Sequence, residues 1–114
     1  MKNWKGSQMK NSKMSSFLSL ASRARKIISG VDMVVCDLKS SKRKTKLLII
    51  AEDAKENVKK EINFLADKYN IEIIEYLTKE ELGHLIGKGE RSVVGILDEN
   101  FKIGILNCIE KGSD

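Results

Sequence analysis

The sequence has little of what metal sites are built from, with one histidine and two cysteines among 114 residues. Cys36 and Cys108 lie far apart in the chain and lack the paired spacing by which cysteines and histidines hold zinc. We therefore expect no metal and no other cofactor. We interpret the two isolated thiols as reduced, half-buried packing residues of a cytosolic protein.

Catalytic motifs are also missing, since the sequence contains no H-E-x-x-H, G-x-S-x-G or C-x-x-C. The adjacent carboxylates Glu52 and Asp53 follow an apolar run and precede a helical pattern, where helix capping is their ordinary role. The glycine-containing segment over 83–89 has no Ser or Thr after its lysine, and it follows a helix instead of opening one, so it is not a phosphate loop. These absences predict a protein that is not an enzyme.

No apolar run approaches the roughly 20 residues that a membrane span needs, and the N-terminus is basic and polar instead of hydrophobic. We expect no membrane association and no export, and therefore a cytoplasmic location.

At 114 residues, 41% of them hydrophobic, the chain is long enough for one domain with its own core. We predict a flexible basic leader over 1–13, a single domain over 14–110 and a flexible tail over 111–114.

Acidic residues are scarce in the first part of the chain. Residues 1–46 hold 12 Lys and Arg against 2 Asp, whereas residues 47–114 hold 9 against 14 acids. Lysines scattered over an ordinary surface would not concentrate in one third of the sequence. The segregation predicts a polyanionic partner, most simply nucleic acid.

The apolar pattern alternates between helix and strand. The unbroken run over 47–50 is typical of a strand buried on both faces, and strands separated by helices imply a three-layer α/β/α sandwich with a small mixed central sheet. An extra strand near 26–30 stays open. In the first half of the chain we predict a helix from Met14 that Gly30 ends, a helix over 31–40, the strand over 46–53, and a helix over 54–69 that Asp53 caps and Asn70 ends. In the second half we predict a strand over 71–76, a helix to Ile86 that begins with a capping box from Thr78 to Glu81, and a flexible loop over 87–90. A strand over 91–97 and a last helix from Asp98 or Asn100 through Cys108 complete the predicted elements.

Two places suit a phosphate backbone. One is the start of the second helix, where Gly30 permits close approach and the first amides carry partial positive charge. The other is the loop over 87–92, which combines glycines with two cations. The alternative for each is ordinary capping and turn chemistry. The candidate RNA-binding residues are Arg23, Arg25, Lys26, Gly30, Val31, Asp32, Met33, Lys39, Gly87, Lys88, Arg91 and Ser92.

The order of motifs resembles a known family. L-L-I-I-A-E-D over 47–53, then E-L-G-H-L-I-G-K over 81–88 and the strand over 92–97, is similar to the L7Ae/L30e-like superfamily of RNA-binding ribosomal proteins, and within it to the small bacterial YlxQ-like group. The resemblance covers about residues 14–106. It implies a non-catalytic protein that binds kink-turns, which are sharply bent RNA elements, with ribosomal RNA or ribosomal proteins as partners.

The resemblance also implies roles for individual residues, position by position. Gly30 matches the family's segment at the start of the second helix, but Asp32 stands where the family has Asn, Met33 where it has Glu and Cys36 where it has Lys. An aspartate cannot donate a hydrogen bond as asparagine does. We therefore expect these replacements to alter how RNA bases are recognised. Cations one or two turns later, at Lys39, Lys42 and Arg43, are expected to replace part of the phosphate contact.

We predict a monomeric RNA-binding protein that recognises the shape of bent RNA through phosphate contacts and helix-start amides. The alternative is a protein-interaction module that docks on a ribosomal or RNA-processing partner, for which Met33 and the valines after it would form an apolar patch. A third possibility is a part of an RNA-modifying enzyme, because related domains are appended to such enzymes.

Overall fold

The structure, a computed structural model, describes residues 12–112; of Ser12 and residues 110–112 it describes the backbone alone. The predicted leader over 1–11 and the last two residues of the predicted tail lie outside the described residues, whereas residues 12–13 and 111–112 belong to helices. The elements, in chain order, are α1 (Ser12–Arg23), β1 (Ile27–Ser29), α2 (Val31–Lys39), β2 (Leu47–Ile50), α3 (Glu56–Tyr69), β3 (Glu72–Glu75), α4 (Lys79–Leu85), β4 (Val93–Ile96) and α5 (Glu99–Gly112).

The four strands form one mixed sheet in the order β1-β4-β2-β3. β4 is antiparallel to both of its neighbours, and Ile96 pairs with Ile27 of β1 on one side and with Leu47 of β2 on the other. β2 and β3 are parallel, as two strands joined through a helix are. The carboxyl ends of β1, β2 and β3 therefore meet at the same edge of the sheet, together with the amino end of β4.

Helices cover both faces of the sheet. α1 packs against α4 and α5 on one face, and α2 packs against α3 on the other. The apolar core lies between these layers, with β2 and β4 buried along their whole length. The prediction of an α/β/α sandwich around a small mixed sheet is confirmed.

The first helix is shorter than predicted. α1 ends at Arg23, and Arg25 takes a left-handed conformation, with φ of 61°, that turns the chain into β1. The sequence pattern misled because Ile27 and Ile28 continue the helical spacing of apolar residues. In the structure these β-branched side chains lie in a short strand paired with β4, which is the extra strand that the sequence left open. Gly30, with φ of 93°, precedes α2 instead of ending α1.

Three of the predicted helix caps are confirmed, and one is wrong in addition to Gly30. The box between Thr78 and Glu81 is present, Asn70 ends α3 in a left-handed conformation, and Asp98 accepts hydrogen bonds from the first amides of α5. Asp53, however, does not cap α3, which begins two residues after Ala54 and has Lys55 at its N-cap. The Asp53 carboxylate instead accepts the Lys79 amide at 2.8 Å and so joins the β2–α3 turn to α4.

Candidate nucleic-acid interface

The sheet presents two ends of different chemistry. We call the edge where β1, β2 and β3 finish the Gly30 end, and the opposite edge, where β2 begins after Lys46, the Lys46 end. α2 starts at the Gly30 end and runs back to the Lys46 end. At about 1.5 Å per residue its length is about 13 Å.

The start of α2 is held at the Gly30 end by backbone hydrogen bonds. The Gly30 amide donates to the Val93 carbonyl at 2.9 Å, and the Gly30 carbonyl accepts the Val34 amide at 3.1 Å. Gly30, at the N-cap, has no side chain that could cap the helix. Within residues 12–112 the amides of Val31, Asp32 and Met33 have no acceptor, so they remain available to an anionic ligand.

The loop after α4 is fixed in a defined turn. Gly87 has φ of 74°, and the Lys88 amide donates to the Gly83 carbonyl at 2.8 Å. Gly83 is buried, and a Cβ atom there would overlap the Gly89 carbonyl, so only glycine allows the loop to fold back on the helix. The backbone hydrogen bonds give the loop that was predicted to be flexible a specific shape.

Arg91 joins this loop to the start of α2. Its Nε donates to Ser29 Oγ at 3.2 Å and its Nη1 donates to the Glu90 carbonyl at 3.0 Å. Its amide donates to the Lys79 carbonyl at 3.1 Å. Within the described residues Nη2 has no hydrogen-bond partner, so one edge of the guanidinium is left for a ligand.

These contacts create an open concavity of about 390 Å³, lined by residues 29–33 and 90–92. Its charge is mixed, because the Arg91 guanidinium shares it with the carboxylates of Asp32 and Glu90. Met33 is 58% exposed there, and Lys88 is exposed on the adjoining turn. The structure thus brings Gly30, Val31, Asp32, Met33, Arg91 and Ser92 together, with Gly87 and Lys88 beside them.

Four other predicted site residues lie elsewhere. Arg23, Arg25 and Lys26 are at the Lys46 end, because β1 runs from there to the Gly30 end and covers about 10 Å in three residues. These three cations, although close to Gly30 in sequence, therefore do not lie beside the start of α2. Lys39, exposed at the far end of α2, also lies at the Lys46 end.

The sequence reasoning missed how the chain between α2 and β2 is organised. The Asp37 carboxylate accepts the Thr45 hydroxyl at 2.6 Å and the amides of Lys44 and Thr45 at 3.1 and 3.0 Å. Desolvation acts to raise the pKa of Asp37, but these hydrogen bonds and the Lys44 charge outweigh it and leave the pKa lowered. In the sequence, the feature that could have indicated this contact is a single acid, Asp37, next to the cation-rich segment over 39–46.

Arg43 fixes the same segment from the other side. Its guanidinium lies 4.0 Å from the centre of the Tyr69 ring, in a cation–π contact, and its Nε donates to the Leu38 carbonyl at 3.0 Å. Residues 39–46, which we call the lysine turn, are therefore held by an acid in α2 and by an aromatic ring in α3.

Comparison with known proteins identifies the class. The family model of the ribosomal protein L7Ae/L30e/S12e/Gadd45 family matches residues 12–105, and the chain belongs to this family. Among its relatives, a protein named RNA-binding protein YlxQ from Bacillus subtilis (strain 168) is 31% identical over 93 residues, which are 82% of this chain and 91% of that protein. A protein of the same name from Enterococcus faecium is 34% identical over 89 residues, 78% of this chain and 84% of that protein.

Solved structures agree on the fold. A protein of unknown function from Bacillus halodurans C superposes with a TM-score of 0.80 at 32% identity, over 86% of this chain and 97% of that one. The Giardia lamblia 15.5kD RNA binding protein superposes with a TM-score of 0.71 over 92% of this chain and 88% of that one, at 14% identity, which shows the fold alone. The predicted family and its YlxQ-like group are confirmed, and the family and the names of its members also confirm the prediction of a protein that is not an enzyme.

No helix in the described part of the chain is both long and apolar enough to span a membrane.

Proposed function

We propose that this chain binds structured RNA of the kink-turn kind, without catalysis, and that the bend of the RNA lies in the concavity at the Gly30 end. The observation that carries the proposal is the row of amides at the start of α2, which have no acceptor within the described residues and belong to residues that line the concavity together with Arg91. Family membership and the printed names of the two YlxQ relatives support RNA as the ligand.

The mechanism is recognition of shape by fixed dipoles and cations. The amides of Val31 to Met33 bind a phosphate at the bend, and Arg91 Nη2 and Lys88 bind neighbouring phosphates. Because Arg91 and the loop are held by hydrogen bonds before RNA arrives, little entropy is lost on binding. A phosphate row with the geometry of a bend fits such a site better than a straight duplex does.

The exposed face of α2 determines which bases fit. Asp32, Met33 and Cys36 are exposed along this face. Asp32 accepts hydrogen bonds and donates none, so it selects base edges that present amino groups. Met33 offers an apolar surface on which an unstacked base packs. The chain thus binds kink-turn-like RNA with a base preference of its own.

The same proposal covers the setting in which the protein acts. We place it in the cytoplasm as a monomer bound to ribosomal or other structured RNA, with ribosomal proteins as neighbours. The unpaired thiols of Cys36 and Cys108 are in keeping with a reducing compartment.

The test is RNA binding by a double variant, Lys88→Ala with Arg91→Ala, measured by fluorescence anisotropy on a hairpin that carries a kink-turn. We expect binding to weaken by about 10-fold or more and the slope of log affinity against log salt to fall by about 1 to 2. The control is Lys55→Ala with Lys60→Ala, which removes two exposed cations at α3. Equal binding by both variants, or a wild-type affinity that does not change with salt, would overturn the proposal.

A second candidate is a protein-interaction module, favoured by the exposure of Met33 at the rim of the concavity. In that case the exposed methionine inserts into a ribosomal or RNA-processing partner. A pull-down from nuclease-treated extract, with Met33→Asp as the comparison, separates the two functions. Partners that survive removal of RNA and are lost in the variant support the module.

A further inference from the structure

The cations that give the chain its basic segment collect at the Lys46 end. Lys26 and Lys46 each precede a residue that pairs with Ile96, so they stand on the two sides of β4. Two strand spacings separate them, which is about 10 Å. Arg25 adjoins Lys26 in the preceding turn. All three side chains are exposed.

The lysine turn extends this surface along α2. Its sequence, K-S-S-K-R-K-T-K, has five cations and no acid. Lys39, Lys42, Lys44 and Lys46 are exposed, whereas Arg43 is partly buried against Tyr69. We call the exposed set the basic surface, and its members are Arg25, Lys26, Lys39, Lys42, Lys44 and Lys46.

The basic surface is unpaired and ordered. Within residues 12–112 none of its side chains forms an ion pair or a hydrogen bond, whereas Lys59 pairs with Glu75 at 3.0 Å elsewhere. The Asp37 carboxylate and the Arg43 contacts hold the turn, so its lysines project from a fixed backbone. Asp98, the acid that follows β4, has its carboxylate held by amides of α5.

We propose that the basic surface is a second RNA-binding site, which binds the phosphates of the helical arm that leaves the concavity. This inference rests on the proposed function. An arm that passes along the exposed face of α2 from the concavity travels about 13 Å to reach Lys39. Unpaired cations in a row attract a phosphate backbone and contribute affinity without reading sequence.

The arm geometry makes the site testable with two RNAs. Both carry the same kink-turn, and the arm beyond the bend is about 3 base pairs in one and about 12 in the other. Even at the roughly 3.4 Å per pair of B-form DNA, which an A-form RNA helix does not exceed, the shorter arm ends before the lysine turn. The protein variant is Lys42→Gln with Lys46→Gln, which spares Lys44 beside Asp37. The matched control is Lys55→Gln with Lys60→Gln. Circular dichroism checks that all variants keep the fold.

On the long-armed RNA we expect the Lys42→Gln, Lys46→Gln variant to bind about 10-fold more weakly than wild type, with a salt slope lower by about 1 to 2. On the short-armed RNA it should match wild type, and the control should match wild type on both. Equal binding by variant and control on the long arm overturns the inference. An equal loss on both RNAs also overturns it, because the lysines would then act independently of the arm that the inference assigns to them.

The experiments can refute the two proposals independently of each other. If Lys88→Ala with Arg91→Ala leaves binding unchanged while the lysine variant loses it on the long arm, the concavity is not the site of the bend. The basic surface then stands as a phosphate-binding site, without the path from the concavity. If wild type binds neither RNA, both proposals are overturned.

Discussion

The two ends of the sheet contrast in how they hold charge. At the Gly30 end Arg91 is engaged by Ser29 and by loop carbonyls, two carboxylates stand nearby, and the residues at the start of α2 line a shaped concavity. At the Lys46 end the lysine side chains are exposed and form no ion pair or hydrogen bond with the described side chains, although the charge of Lys44 acts on the nearby Asp37 carboxylate. Fixed dipoles discriminate shape, whereas exposed cations raise affinity for any phosphate backbone. The two proposals therefore assign specificity to one end and salt-dependent affinity to the other.

The largest expected effect on stability comes from a substitution that disrupts the Gly30 end alone. In Gly83→Ala the new Cβ meets the Gly89 carbonyl, which belongs to the backbone and cannot move aside as a side chain can. We expect a loss of about 3 kcal/mol in the free energy of unfolding, measured by urea denaturation. Gly89→Ala is the control, since a Cβ there meets only the far end of Arg91, at 4.0 Å.

The same variant separates the roles of the two ends. Under conditions where Gly83→Ala is still folded, the loop over 87–90 is displaced, and preference for kink-turn RNA over a straight duplex should fall. Binding to the straight duplex, which we assign to the lysines, should keep its salt slope. A variant that loses both kinds of binding to the same extent would refute the division of roles.

The next largest effect on stability is expected from a substitution that disrupts the Lys46 end. Asp37→Asn removes a charged acceptor from the Thr45 hydroxyl and from two amides. We expect a loss of about 2 kcal/mol in the free energy of unfolding at neutral pH. Asp67→Asn, an exposed acid of α3, is the control. Because the lysine turn is no longer fixed, binding to the long-armed RNA should weaken while kink-turn preference persists.

The acid-pH behaviour of Asp37 follows from its lowered pKa. A carboxyl whose pKa is lower in the folded state stabilises the fold above its unfolded value, near 3.8, and this contribution is lost as pH falls through the folded value. The difference in unfolding free energy between wild type and Asp37→Asn should therefore be full at neutral pH and shrink below about pH 4. A difference that stays constant down to pH 2 would show that the charge of Asp37 is not what stabilises the turn.

Much of the fold could be predicted because its signals are local. The run over 47–50 is apolar at every position, as is typical of a strand buried on both faces, and it forms one of the two inner strands of the sheet. The capping box at Thr78 lies within four residues. By contrast, β1 has three residues, and its isoleucines fit a helix as well as a strand. Only pairing with β4, more than sixty residues away, decides between them.

The site was harder to predict because distance along the chain is not distance in space. Arg25 and Lys26 precede Gly30 by a few residues, and in a helix they would lie close to it. In the extended conformation of β1 they lie at the other end of the sheet. The lysine turn has the reverse problem, because Asp37 acts on Thr45, eight residues later, through a side-chain contact that no local pattern encodes.

The smallest expected effect tests whether Arg43 serves the basic surface as a charge or as an anchor. Arg43→Lys keeps the charge but loses the planar contact with Tyr69 and the Nε hydrogen bond to Leu38. We expect a loss of about 0.5 to 1 kcal/mol in unfolding free energy by urea denaturation. Arg43→Gln should cost a similar amount of stability. Because Arg43 is partly buried, both variants should keep a salt slope near that of wild type on the long-armed RNA. If Arg43→Gln lowers the slope by about 1 while Arg43→Lys restores it, Arg43 binds phosphate directly and belongs to the basic surface.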